Sequence, residues 1–130
     1  MRLIDELADI YLEGPQQEMR YLFDLRTERI LLDAPQSLTG EPELDLDDEE
    51  FEEVVEIPMA ESSEIYRLME QFAETQADHR PAKLLAALGS RKPFRHFKHT
   101  AHTLDCIEEW YSFERRYAEG VMGKWLSEIR

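Results

Sequence analysis

Cysteine is nearly missing from this 130-residue sequence: Cys106 stands alone, so no internal disulfide can form, and the usage fits a reducing compartment. Glycine is scarce, at five residues, and none of the five belongs to a glycine-rich phosphate loop. There is no H-E-x-x-H, no C-x-x-C and no serine in a nucleophile-elbow setting. Adjacent carboxylates such as Glu108-Glu109 and Asp47-Asp48 need not converge, so they carry no catalytic signal. No apolar stretch approaches the ~20 residues of a membrane span. The opening MRLIDELADI places Asp5, Glu6 and Asp9 where a signal peptide wants a basic start and an unbroken apolar run. These absences predict a cytoplasmic protein with no membrane partner, no cofactor and no enzymatic activity.

Two further absences are regional. From Ile30 to Tyr66 there is no Lys or Arg, and between Glu41 and Glu56 ten of sixteen residues are acidic. From His79 to Leu104 there is no Asp or Glu, while that window holds six of the fifteen Lys and Arg and all four His. The window therefore carries +6 inside a chain of net charge −14. A net charge of that sign repels nucleic acid and anionic membrane at long range, so binding to either would need the locally positive face. The acidic block reads as a solvated loop, 41–56, with a competing reading as a strip that faces the basic window.

What is present is patterned. Leu3, Ile4, Leu7, Ile10 and Tyr11 recur at helical spacing, and Gly14-Pro15 ends that helix. Met19, Tyr21 and Phe23 then alternate with Arg20, Leu22 and Asp24, and Ile30-Leu31-Leu32 follows, which predicts a β-hairpin whose glycine-free turn is long or wide. Phe51–Ile57 is a candidate third strand. Ser62 or Ser63 is the expected cap of a helix carrying Ile65, Leu68, Met69 and Phe72. Pro81 and Pro93 fit the first turns of two further helices. A last long helix carries Trp110, Phe113, Tyr117, Val121, Trp125 and Ile129, and Gly120 and Gly123 suggest a close helix approach or a break within it. The expectation is one α+β domain over 1–130. Residues 1–57 supply a helix, a hairpin or three-stranded sheet and the acidic loop; residues 58–130 form a helical half.

The chemistry of the basic window allows three readings. Phe94 and Phe97 are three residues apart and share a helix face, so they point inward while Arg91, Lys92, Arg95 and Lys98 stay wet. Those four are the candidate binding residues, for an acidic protein surface or for self-association. The alternative is nucleic acid on the segment 80–98, with phosphates on Arg95 and Lys98 and bases on the rings. The third is a metal-dependent hydrolase. His99, His102 and Cys106 fall on one stripe if the helix continues that far, and three N/S ligands with an open fourth position suit Zn²⁺. Against the metal, a structural zinc site usually draws on two separated elements, and solvated or salt-bridged histidines account for the same residues.

Several blocks together resemble a known family. Ile57-Pro58, Glu64, Tyr66, Met69-Glu70 and Phe72 match an I-P-x-x-x-S-x-E-x-Y-x-x-M-E-x-F-like pattern, and Gly89–Lys98 resemble a G-x-x-x-F-R-x-F-K-like block, with one more residue between Gly89 and Phe94 and with Pro93 and His96 as departures. Trp110-Tyr111-Ser112-Phe113 and Trp125-Leu126 complete it, and Tyr21, Asp24 and Thr27 match a Y-x-x-D-x-x-T-G-E hairpin in which Glu28 stands at the glycine. In these the chain resembles an uncharacterised bacterial family of the UPF series, number 0158. The resemblance implies the helix-hairpin-helices architecture; it brings no activity, substrate or catalytic residue.

Overall fold

Helical spacing at the start of the chain becomes α1 (Leu3–Glu13), which buries Leu7, Ala8, Ile10 and Tyr11, in a computed structural model that describes residues 2–36 and 53–130. Asp5, in its first turn, reaches back to the Arg2 backbone N–H at 3.3 Å. Gly14 ends the helix at φ 82°, a left-handed value that glycine takes without strain.

Three antiparallel strands follow: β1 (Arg20–Asp24), β2 (Arg29–Asp33) and β3 (Val54–Glu56), in the order β2-β1-β3. The hairpin register runs from Arg20 opposite Asp33 to Asp24 opposite Arg29. The expected wide turn is therefore the loop 25–28, and it is organised by side chain and backbone together. Asp24 Oδ1 accepts from the N–H groups of Arg26 (2.9 Å) and Thr27 (3.4 Å), and the Glu28 N–H donates to the Asp24 carbonyl at 2.8 Å. Glu28 adopts φ 56°, the conformation that the family pattern assigns to glycine.

A strict in-out alternation along β1 is not what the fold uses. Leu22, Phe23 and Asp24 are all buried, so this end of β1 is covered on both of its faces. Phe23 meets Trp125 edge-on at a centroid distance of 5.8 Å. Of the candidate third strand Phe51–Ile57, β3 takes Val54–Glu56, on the far side of β1 from β2. Residues 41–52 of the acidic block lie outside the described residues.

Beyond Ala60 the chain is helical: α2 (Ser62–Thr75), α3 (Arg80–Leu88), α4 (Pro93–Thr103) and α5 (Ile107–Ile129). Pro81 and Pro93 occupy first-turn positions, as expected. The cap of α2 is Glu61, with no side-chain hydrogen bond, and not Ser62 or Ser63, which lie inside the helix. Contacts divide the chain into two units: 1–60 with 119–130, and 61–118. Residues 119–130, at the end of α5, belong with the sheet unit.

The core of the second unit is aromatic. Phe72 meets Phe97, Trp110 and Phe113 at 6.2, 5.6 and 5.4 Å, and Phe97 meets Trp110 at 5.2 Å, all edge-to-face. Such pairs are each worth about 0.5–1.5 kcal/mol beyond the area they bury. The Trp110 indole N–H has no acceptor among the described residues, so a buried donor stands in this core unsatisfied by them.

Along α5 the buried residues are Trp110, Ala118, Met122 and Leu126, while Phe113, Tyr117, Val121, Trp125 and Ile129 flank them half-buried. The glycines neither break this helix nor mark a close approach: a Cβ at Gly120 would meet nothing, and one at Gly123 would sit 3.9 Å from Ile4 Cδ1, an ordinary contact.

Candidate functional site

The sequence blocks that look most specific are largely structural. Tyr66 donates to the Leu88 carbonyl at 3.1 Å and so closes the end of α3, while the Tyr117 hydroxyl donates to Glu64 at 2.5 Å. Phe72, Phe97 and Trp110 are the aromatic core just described. Within the F-R-x-F-K block this leaves the cations.

Phe97 is fully buried and Phe94 packs against the same core, so both rings turn inward. Arg91, Lys92, Arg95 and Lys98 are all exposed. Among the described residues none of the four enters an ion pair. Lys98 acts electrostatically on Glu114. Its carboxyl is half-buried, and burial pushes its pKa up against the opposing pull of Lys98. On α4, Arg95, Lys98, His99 and His102 stand at i, i+3, i+4 and i+7 and are all exposed, which makes one outward stripe of two fixed cations and two imidazoles.

The position of these charges opposes helix electrostatics. A helix N-terminus carries a partial positive charge, so acids belong in the first turn and cations in the last. The first turns of α3 and α4 contain no acid. Arg91 and Lys92 instead lead into α4, and Arg95 lies in its first turn. Each cation there costs the fold about 0.3–1 kcal/mol relative to an acid at the same place.

The stripe of His99, His102 and Cys106 does not form. Helix α4 stops at Thr103, and Asp105 takes φ 57° while the Cys106 N–H donates to the Ala101 carbonyl (2.9 Å) and the Asp105 N–H to the His102 carbonyl (3.1 Å). That is a Schellman closure with Asp105 in the left-handed position. It turns Cys106 into the core, fully buried, while His99 and His102 remain outside. Among the described residues no three His, Cys, Asp or Glu side chains are grouped to hold a metal ion. Burial, more than the nearby charges, raises the pKa of the Cys106 thiol, and the Arg80 guanidinium only partly offsets it.

The side chain of His96, a departure from the family block, has a hydrogen-bond partner in Ser90. Ser90 Oγ donates to the Ala87 carbonyl at 2.6 Å and lies 2.5 Å from His96 Nδ1. A hydroxyl has a single proton, so with that proton on the carbonyl it is His96 Nδ1–H that donates to Ser90. The pair ties the α3–α4 loop to α4 immediately beside Arg91 and Lys92. Sequence reasoning did not reach it, because a Ser and a His six residues apart give no sign of contact.

An N-terminal helix, a three-stranded antiparallel sheet and a helical C-terminal half define an α+β protein. The chain belongs to the Uncharacterised protein family (UPF0158), which it matches over residues 1–129. It is similar to the UPF0158 protein PA5073 of Pseudomonas aeruginosa, 31% identical over 128 residues that cover 96% of this chain and 80% of that relative. No solved structure matches it. Among the described residues no helix is long and apolar enough to cross a membrane.

Proposed function

We propose that the protein is a non-catalytic, cytoplasmic interaction module that presents the basic face of α4 and its leading loop to an acidic protein surface, on another protein or on a second copy of itself. The observation that carries this reading is the pairing of roles inside one block: Phe94 and Phe97 serve the core, while Arg91, Lys92, Arg95 and Lys98 are exposed, outside any ion pair among the described residues, and placed against the helix dipole. Residues that help neither packing nor helix electrostatics are candidates for recognition.

The inward turn of both rings weighs against nucleic acid, since single-strand binding draws much of its strength from exposed aromatic platforms. Charge complementarity would govern association rate and selectivity, and salt would weaken it.

The test is an affinity capture with the full chain, compared with the R91E/R95E/K98E variant at low and physiological salt. Loss of specific partners, or of self-association, in the variant supports the proposal. Retention of every partner and of the same oligomeric state sinks it. A labelled RNA or DNA that shifts with the wild type and not with the variant moves the same face to the nucleic-acid reading.

A further inference from the structure

We propose that the free edge of β2 pairs antiparallel with β2 of a second copy of this chain, on a twofold axis at Leu31. In the order β2-β1-β3, β2 is a terminal strand, and no strand among the described residues covers its outer side. It is also apolar where an edge is normally blunted. Ile30 and Leu31 are half-buried, and Leu32 is 38% exposed, one of the most exposed large hydrophobics among the described residues.

The occupant follows from the strand's own sequence, Arg29-Ile30-Leu31-Leu32-Asp33. Laid antiparallel on itself about Leu31, it sets Arg29 opposite Asp33 of the second copy at both ends and Ile30 opposite Leu32 between them. No other antiparallel register places both charge pairs in opposition. Existing cross-strand pairs extend the pattern. Asp33 already accepts from Arg20 Nε at 2.9 Å across the hairpin, and Asp24 stands opposite Arg29. A row through the joined sheet would read Arg20, Asp33, Arg29, Asp24, with alternating sign at every step. The row centred on the axis would read Leu22, Leu31, Leu31, Leu22. Arg29 is exposed and in no ion pair among the described residues, so it is available for this contact. The surface is in the sheet unit and does not rest on the α4 reading.

A five-residue strand pair is small beside a standard interface, so the association belongs to the weak, concentration-dependent class. Sedimentation velocity over a wide concentration range should show monomer and dimer. R29D and D33R, each of which sets like charges opposite at both ends, should raise the dissociation constant about tenfold, and the swapped double variant R29D/D33R should bring it back to within about threefold. Circular dichroism and thermal melting identify any variant that fails to fold. For that case L31C in a C106S background gives a second readout, since a residue on the axis meets its own copy within disulfide range. Oxidation should yield a covalent dimer much faster than R29C in the same background. A dimer abolished by R95E/K98E and not by R29D would be one formed through α4, and would overturn the proposal. A protein that stays monomeric at every concentration, as it would if the edge took a strand from a different protein, overturns the proposal. So does a double variant as weak as the single ones, or equal crosslinking of L31C and R29C.

Discussion

Arg130 clasps Glu28: its Nε and Nη2 donate to Oε1 at 2.9 and 2.6 Å, and Nη2 also reaches Oε2 at 3.0 Å. The pair holds, by its side chain, a residue whose backbone is in the left-handed region at φ 56°. Two terms of similar size therefore oppose each other at one position. A non-glycine residue there costs about 1–2 kcal/mol, and an exposed ion pair returns about 0.2–1 kcal/mol. Glu28→Gly is expected to be neutral or stabilising by up to about 2 kcal/mol in denaturant unfolding. Arg130→Ala should destabilise the wild type by less than about 1 kcal/mol and the Glu28→Gly variant not at all. An equal effect of Arg130→Ala in both backgrounds would show that the clasp does not act through the turn.

Asp24 gives the fold an acid-sensitive turn. The hydrogen bond from the Arg26 backbone N–H, followed by those from Thr27, holds its carboxyl below the ordinary range against the opposing effect of burial. A depressed folded pKa contributes stability that is fully present above the unfolded value and is lost as the pH falls through the folded one. Asp24→Asn keeps an acceptor oxygen but removes the titration. The wild type should lose stability faster than the variant as the pH drops below the carboxylate range. Parallel stability curves for the two proteins would contradict this.

Arg95→Glu separates binding from folding. Placing an acid in the first turn of α4 should raise stability by about 0.3–1 kcal/mol at low ionic strength, and the gain should shrink with salt. The same substitution should weaken capture of acidic partners. A residue kept for stability would move both in the same direction.

Two backbone positions should accept stabilising changes. Gly120→Ala should gain up to about 1 kcal/mol, because the helix is continuous there and the added Cβ meets nothing. Asp105→Gly should gain about 1 kcal/mol by relieving the left-handed residue of the Schellman closure. Thermal melts of the single and double variants check both, and the sites are expected to be additive.

Cys106 should be unreactive in the folded protein. It is buried and its thiol pKa is raised, so the nucleophilic thiolate is scarce at neutral pH. A thiol reagent should label it at the rate of unfolding, and labelling should become immediate in denaturant.

Much of the architecture was legible because its periods are local. Apolar residues every three to four positions gave α1 to α5, the two prolines marked helix starts, and the alternation around Tyr21 and Phe23 gave β1. The misses fell where one element's state depends on another. Leu22, Phe23 and Asp24 are buried in succession because both faces of β1 are covered at that end, and no pattern within β1 can say that. Gly120 and Gly123 looked like contact points, but what stands beside a glycine is decided elsewhere in the chain. The basic window was plain from composition, whereas the contact of Ser90 with His96 needed the loop between α3 and α4 to fold back.

By itself the sequence determined an α+β arrangement, the inward aromatics of the F-R-x-F-K block and the strong contrast of charge, since side-chain period and formal charge are properties of the covalent chain. Only the tertiary structure decided that Glu28 takes a glycine's conformation under the Arg130 clasp, that residues 119–130 rejoin the sheet unit, and that the turn at Asp105 sends Cys106 away from His99 and His102. Those outcomes rest on backbone hydrogen bonds and burial between residues distant in sequence or across a single reversed φ, where the free-energy differences are about 1 kcal/mol and no local pattern records them.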